Sequence, residues 1–120
     1  MLDQPKGDLI ALTTYPGLIY KNPEDIPENY YLEILQHTNK TIAFTEVGWF
    51  RQGPAMTWES SSEEQAQFIN RFFQNTKETK PKFVIWSFLY DQDIQEPFTT
   101  MGLLRNDQNT SAAWEAWVND

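Results

Sequence analysis

Three apolar runs punctuate the chain. The first spans Asp8 to Tyr15 and closes at Pro16-Gly17, the second spans Thr41 to Trp49, and the third spans Phe83 to Tyr90 and closes at Asp91. Each is nearly continuously apolar rather than alternating, the pattern of strands buried on both faces of a parallel sheet. Helical spacing fills the gaps. Ile26, Tyr30, Tyr31, Ile34 and Leu35 predict a helix over Ile26 to Thr38, with Glu33 and Gln36 on its other face. Ala66, Ile69, Phe72 and Phe73 form one stripe over Ser62 to Lys77. Ser61 stands three residues before Glu64, a capping-box spacing, and Pro81 is the expected stop. A last helix is predicted over Ser111 to Val118, with Ala113, Trp114 and Trp117 inward.

The order strand, helix, strand, helix, strand, loop, helix predicts an α/β fold of three β-α units with parallel strands. The loops after the strands (Pro16 to Asp25, Phe50 to Ser60, Asp91 to Thr110) are long and polar, whereas those before them are short. Long loops at the carboxyl ends of parallel strands are where such folds build their sites.

Composition narrows the chemistry. The 120 residues suffice for one small domain, and their net charge is −8, with no Lys/Arg cluster, which argues against nucleic acid and anionic membranes as partners. There is no cysteine and a single histidine, His37, read as a solvated helix residue. A thiolate or imidazole metal site and a Ser-His-Asp triad are thereby disfavoured, and no cofactor is expected. No stretch is long enough to span a bilayer, and residues 1–7 lack the apolar core of a secretory signal, which leaves localisation open. Aromatic residues reach 15%, and Trp and Tyr suit both cores and carbohydrate surfaces.

In a parallel sheet the three strand ends bring Tyr15, Glu46 and Trp86 to similar heights. A carboxylate there can act as a nucleophile on an anomeric carbon if it is held ionised and oriented. A phenol can donate a hydrogen bond to it, and an indole face can stack on a sugar. Trp49, three residues after Glu46, belongs to the same neighbourhood. Arg51 and Trp58 in the second loop are read as substrate contacts or as partners of each other, and Arg51 alternatively as a neighbour that stabilises the Glu46 charge. The plainer readings are a strand-end packing role for Tyr15, a solvated acid for Glu46 and a core position for Trp86.

These segments resemble the carboxyl-terminal part of retaining (β/α)8 glycoside hydrolases of clan A, with the endo-β-1,4-galactanase and β-mannanase families nearest. Thr14-Tyr15-Pro16 resembles the end of strand six, Thr45-Glu46-Val47-Gly48-Trp49 the end of strand seven, and Ile85-Trp86-Ser87-Phe88 that of strand eight. Gly102-Leu103-Leu104 and Ala112-Ala113-Trp114 resemble the last loop and helix. The resemblance runs through nearly all of residues 1–120. It implies Glu46 as nucleophile, Tyr15 as its hydrogen-bond donor, and Trp86, Trp49, Arg51, Trp58 and Asp91 as contacts to a carbohydrate substrate. It also places the acid/base glutamate in an Asn-Glu pair on strand four, and this chain contains no Asn-Glu dipeptide. Asp91, Asp93 and Glu96 are the acids near the third strand end. A (β/α)8 barrel takes roughly 250 residues, so the expectation is an incomplete barrel that supplies half of a site and is inactive alone. Its open edges call for a complementary amino-terminal barrel portion or a homo-oligomer. The alternative is a non-catalytic remnant that binds carbohydrate or self-assembles.

Overall fold

The computed structural model describes residues 7–52, 54–55, 58–104 and 111–120. Parts of the predicted loops, at 53, 56–57 and 105–110, lie outside the described residues, as does the polar segment 1–6. In chain order the elements are β1 (Leu9–Thr14), β2 (Thr41–Val47), a short hairpin of β3 (Pro54–Ala55) and β4 (Trp58–Glu59), α1 (Ser62–Thr76), β5 (Val84–Trp86) and α2 (Ala112–Asn119). The first, second and fifth strands form one parallel sheet in the order β1-β2-β5. The architecture is the expected one: an α/β fold of parallel strands arranged as in an incomplete (β/α)8 barrel.

Both edge strands are less buried than their apolar composition predicts. Ala11 and Thr13 of β1 are exposed, and Ile85 of β5 is 49% accessible, whereas β2 holds Ile42, Ala43, Phe44 and Val47 fully out of water. Only the central strand has neighbours on both sides; continuous apolarity signals burial on both faces, and the edges lack the cover that would supply it. The third run also yields a shorter strand than its length suggests. Beyond Trp86 it continues irregularly to Tyr90, which forms an isolated parallel bridge with Leu104.

The β1-β2 register contains one extra residue. Leu12 pairs with Phe44 and Thr13 with Glu46, so Thr45 has no opposite number; its Oγ1 donates to the Leu12 carbonyl at 3.3 Å. Side chains alternate faces along a strand, and a bulge resets that alternation. Ile42, Phe44 and Val47 therefore all join the helix-side core, although the last two are three positions apart, and Glu46 emerges exposed.

The core is largely aromatic. Phe44 packs edge-on to Phe72 (5.0 Å between centroids) and Tyr31 (5.4 Å), and Phe68 of α1 stacks on Trp49 (5.0 Å). Helix α1 starts where the capping signal puts it: Ser61 Oγ accepts the Glu64 N–H at 3.1 Å. It ends before Pro81 comes into play, tightening into a 3-10 turn at Lys77–Thr79 and then Lys80 in the left-handed region at φ 48°. Helix α2 packs on α1, with Trp117 against Phe73 and Trp86, and Ser111 is its cap rather than its first residue.

The helix predicted over Ile26 to Thr38 is not an α-helix. The segment is a series of turns with a 3-10 stretch at Leu32–Gln36. The N–H groups of Tyr30, Ile34 and His37 bond three residues back, to the carbonyls of Pro27, Tyr31 and Ile34. Pro27 disfavours helical backbone at the preceding residue, and Ile26 is extended (ψ 124°). Apolar spacings of three and four satisfy a 3.0-residue period nearly as well as a 3.6-residue one over so short a stretch. Among the described residues, no helix is long and apolar enough to cross a membrane.

Candidate active site

The carboxyl ends of β1, β2 and β5 meet in a hydroxyl-carboxylate cluster. Tyr15, directly after β1, donates its phenol proton to Glu46 Oε1 at 2.6 Å. The same phenol oxygen lies 2.7 Å from Ser87 Oγ, directly after β5. Ser87 is itself tied to β2: its N–H donates to the Val47 carbonyl at 2.9 Å, and its Oγ lies 3.2 Å from that oxygen. The Gly48 N–H closes the other side by donating to the Thr14 carbonyl at 3.2 Å. Three strands thus contribute to one cluster, and the ladder that aligns them also sets its geometry.

Gly48 is required by close approach. A Cβ at this position would lie 2.7 Å from Tyr15 Cε1 and 3.0 Å from Met101 Sδ, well inside contact distance. The Tyr15 ring fills that space and meets Phe98 edge-on at 5.2 Å. Burial pushes the Tyr15 phenol above its ordinary value of 10.0; the hydrogen bond to Glu46 adds to the rise, Ser87 opposes it, and the Glu46 charge reinforces it. Tyr15 therefore remains a neutral donor beside an exposed carboxylate.

The other predicted site residues lie elsewhere. Trp86 was expected to present its face to a sugar, but its ring is 7% exposed on the helix side, against Phe68 and Trp117, with Nε1 donating to the Met101 carbonyl at 2.6 Å. Alternation explains the difference: Trp86 and Ser87 point oppositely, so Ser87 is the residue of this strand end that reaches the cluster. Trp49 is fully buried, stacked on Phe68 and near-parallel to Phe50, with Nε1 donating to Ser60 Oγ at 2.9 Å; it is a core residue rather than a ligand contact. Arg51 is committed to Asp91 through both nitrogens of its fork, and not to Glu46 or Trp58. Asp91 also accepts the Gly102 N–H at 3.0 Å, so this ion pair fastens the loop after β2 to the loop after β5. Trp58 is half-buried and packs against the core. The sequence reading missed Ser87. Its signal was available in its position one residue after a buried strand-end aromatic.

Among the described residues, no second carboxylate is part of the cluster. Asp91 is held by Arg51, and Asp93 and Glu96 are exposed in the loop after β5 with no bond to Tyr15, Glu46 or Ser87 among the described residues. None of the described residues forms a group of three or more carboxylates or imidazoles able to hold a metal ion. Two concave surfaces among the described residues are lined by residues other than Glu46. One of about 340 Å³ is lined by the end of β1 and the turn segment that follows it, with Leu12, Thr14, Tyr30, Tyr31 and Ile34, and by Phe44 of β2. Glu46 itself is exposed.

No protein-family model and no curated protein sequence matches the chain. Solved structures do. An active-site mutant of the Rhizomucor miehei β-1,3-glucanosyltransferase, in complex with laminaritriose, superposes with a TM-score of 0.70 at 16% identity, over 88% of this chain and 42% of that one. The Bifidobacterium dentium β-glucuronidase complexed with coumarin-3-O-glucuronide gives 0.68 at 18% identity, over 93% of this chain and 20% of that one. A β-glucuronidase from an uncultured Clostridium species gives 0.70 at 14% identity, over 93% and 22%. At these identities the likeness is one of fold, and the chain spans less than half of each structure. The neighbours are carbohydrate-active enzymes, but galactanases and mannanases are not singled out among them.

Proposed function

We propose that this chain supplies the nucleophile half of a retaining β-glycosidase site acting on O-glycosidic bonds of an oligosaccharide or polysaccharide, and that residues 1–120 are the carboxyl-terminal portion of the barrel. The observation that carries this reading is Glu46: an exposed carboxylate at the end of the central parallel strand, held by a phenol at 2.6 Å. In the first step a Glu46 oxygen bonds to the anomeric carbon as the bond from that carbon to the leaving oxygen breaks. That oxygen takes a proton from a general acid. In the second step the same group, now a base, takes a proton from water, the water oxygen bonds to the anomeric carbon, and the Glu46 ester bond breaks. Tyr15 orients the attacking carboxylate and limits its freedom.

Retention requires the two carboxyl groups about 5–5.5 Å apart. The acid/base partner on this reading comes from outside the chain, from a complementary barrel portion. The chain alone is expected to show no turnover. Paired with a portion carrying the first five strands, it is expected to hydrolyse a β-glycoside, and a 2-deoxy-2-fluoro glycoside should leave a covalent adduct on Glu46, detectable by peptide mass spectrometry. Glu46→Gln is expected to lower that turnover at least about a thousandfold while leaving sugar affinity nearly intact. Turnover that survives the change, or an adduct on another residue, would overturn the assignment.

A second reading, a self-assembling or carbohydrate-binding domain without catalysis, is favoured by the apolar side chains exposed on and beside β5, namely Phe83, Ile85 and Leu89. On this reading Glu46 is vestigial, and a homo-oligomer covers the sheet edges.

A further inference from the structure

The cluster contains more oxygen contacts than protons. Glu46 Oε1, Tyr15 Oη, Ser87 Oγ and the Val47 carbonyl make a row of three contacts, at 2.6, 2.7 and 3.2 Å. Only Tyr15 and Ser87 carry a hydroxyl proton, one each. Tyr15 donates its proton to Glu46. The Ser87 proton then has two possible acceptors: the phenol oxygen at 2.7 Å or the Val47 carbonyl at 3.2 Å. Two oxygens 2.7 Å apart with no proton between them face lone pair to lone pair, which is repulsive. The Val47 carbonyl already receives the Ser87 N–H. A carbonyl oxygen has a second lone pair to offer, but the shorter contact, 2.7 Å against 3.2 Å, sends the Ser87 proton to Tyr15.

We propose that Ser87 is a positioning residue that donates to the Tyr15 phenol oxygen and so keeps the single Tyr15 proton aimed at Glu46. The backbone makes this possible. The Ser87 N–H is locked to the residue after Glu46, which holds Oγ at a fixed height above the β2-β5 ladder. If Ser87 does not donate, its oxygen is a second acceptor within reach of the phenol proton, a weaker one than the Glu46 carboxylate but at a similar distance. With it, the three groups form a one-way chain, and hydrogen bonds in such a chain strengthen one another. The direction matters chemically, since a phenol turned toward Ser87 would leave the carboxylate free to rotate. The catalytic consequence rests on Glu46 being the nucleophile; the proton order does not.

The test uses the chain itself, labelled with carbon-13 at the tyrosine ζ position, with Tyr15→Phe to assign the resonance. Glu46 is the charged group against Tyr15, and its ring neighbour Phe98 is apolar, so the midpoint reports the cluster. A donor to the phenol oxygen favours the phenolate. Ser87→Ala is therefore expected to raise the Tyr15 titration midpoint by about half to one pH unit, and Ser87→Thr to restore it. A midpoint that falls would mean that Ser87 accepts from Tyr15, and one that stays put would mean that Ser87 bonds only Val47; either overturns the proposal. The Tyr15 ζ-carbon shift at neutral pH gives the same comparison if alkaline pH unfolds the alanine variant. Failure of the nucleophile reading would appear separately, in the adduct experiment, and would leave this titration unchanged.

Discussion

The two faces of the parallel sheet come from the same strands and have opposite fates. On the helix side Phe44, Val47 and Trp86 are lost to solvent beneath α1 and α2, packed ring on ring. On the other side Thr13, Glu46 and Ile85 are exposed. The helix side holds the packed core, and the open side holds the exposed carboxylate. A single bulge residue, Thr45, separates them along β2 by letting Phe44 and Val47 share one face while Glu46 takes the other. The carboxylate does not weaken the core because it never enters it.

The contrast can be broken from either side. Phe44→Ala removes a ring from the centre of the aromatic cluster and should cost about 3–5 kcal/mol in denaturant unfolding; a cost near that of a surface change would mean that the helix side is not the core. Tyr31→Phe has a smaller effect with a pH signature. Burial pushes the Tyr31 phenol well above its ordinary value, with its bond to Thr14 Oγ1 (2.8 Å) working the other way. A raised phenol stabilises the fold below the unfolded value of about 10 and loses that contribution as pH rises past it. Tyr15 and Tyr30 are raised in the same direction. The urea midpoint should thus fall between about pH 9 and 11, and Tyr31→Phe should flatten that fall while costing about 1 kcal/mol at neutral pH from the lost hydrogen bond. Smallest is Ile85→Thr on the open side, expected to stay within about 0.5 kcal/mol. Light scattering would sharpen the comparison: a large penalty coupled to loss of an oligomer would show that the open face is covered by another copy.

Much of this division was legible in the chain, and each failure has a physical cause. The strands announced themselves as apolar runs, and α1 through Ser61 and its aromatic stripe, because both signals are local. Glu46 and Tyr15 were legible as strand-end residues, and the structure brings them together. What apolar runs conceal is parity. A continuous stretch such as Phe83 to Tyr90 does not say which residues face the helices, so Trp86 was assigned to the site and Ser87 overlooked. The bulge at Thr45 is invisible for the same reason, since nothing in Phe44-Thr45-Glu46 marks an extra residue until β1 is laid beside it. Arg51 and Asp91 are forty residues apart in sequence, a pairing that only the fold creates. The turns after Pro27 were misread because three-residue and four-residue spacings serve two helix types.

Gly48 adds a constraint on anyone who would transplant this cluster. The carboxylate is oriented by a ring, the ring lies where a side chain is missing, and Met101 borders the same vacancy from a loop more than fifty positions downstream. Grafting Glu46 and Tyr15 onto another strand pair without that hollow would deliver both functional groups and lose their alignment. The portable unit is therefore a shape as well as a pair of residues, and its least conspicuous component is the one with no side chain.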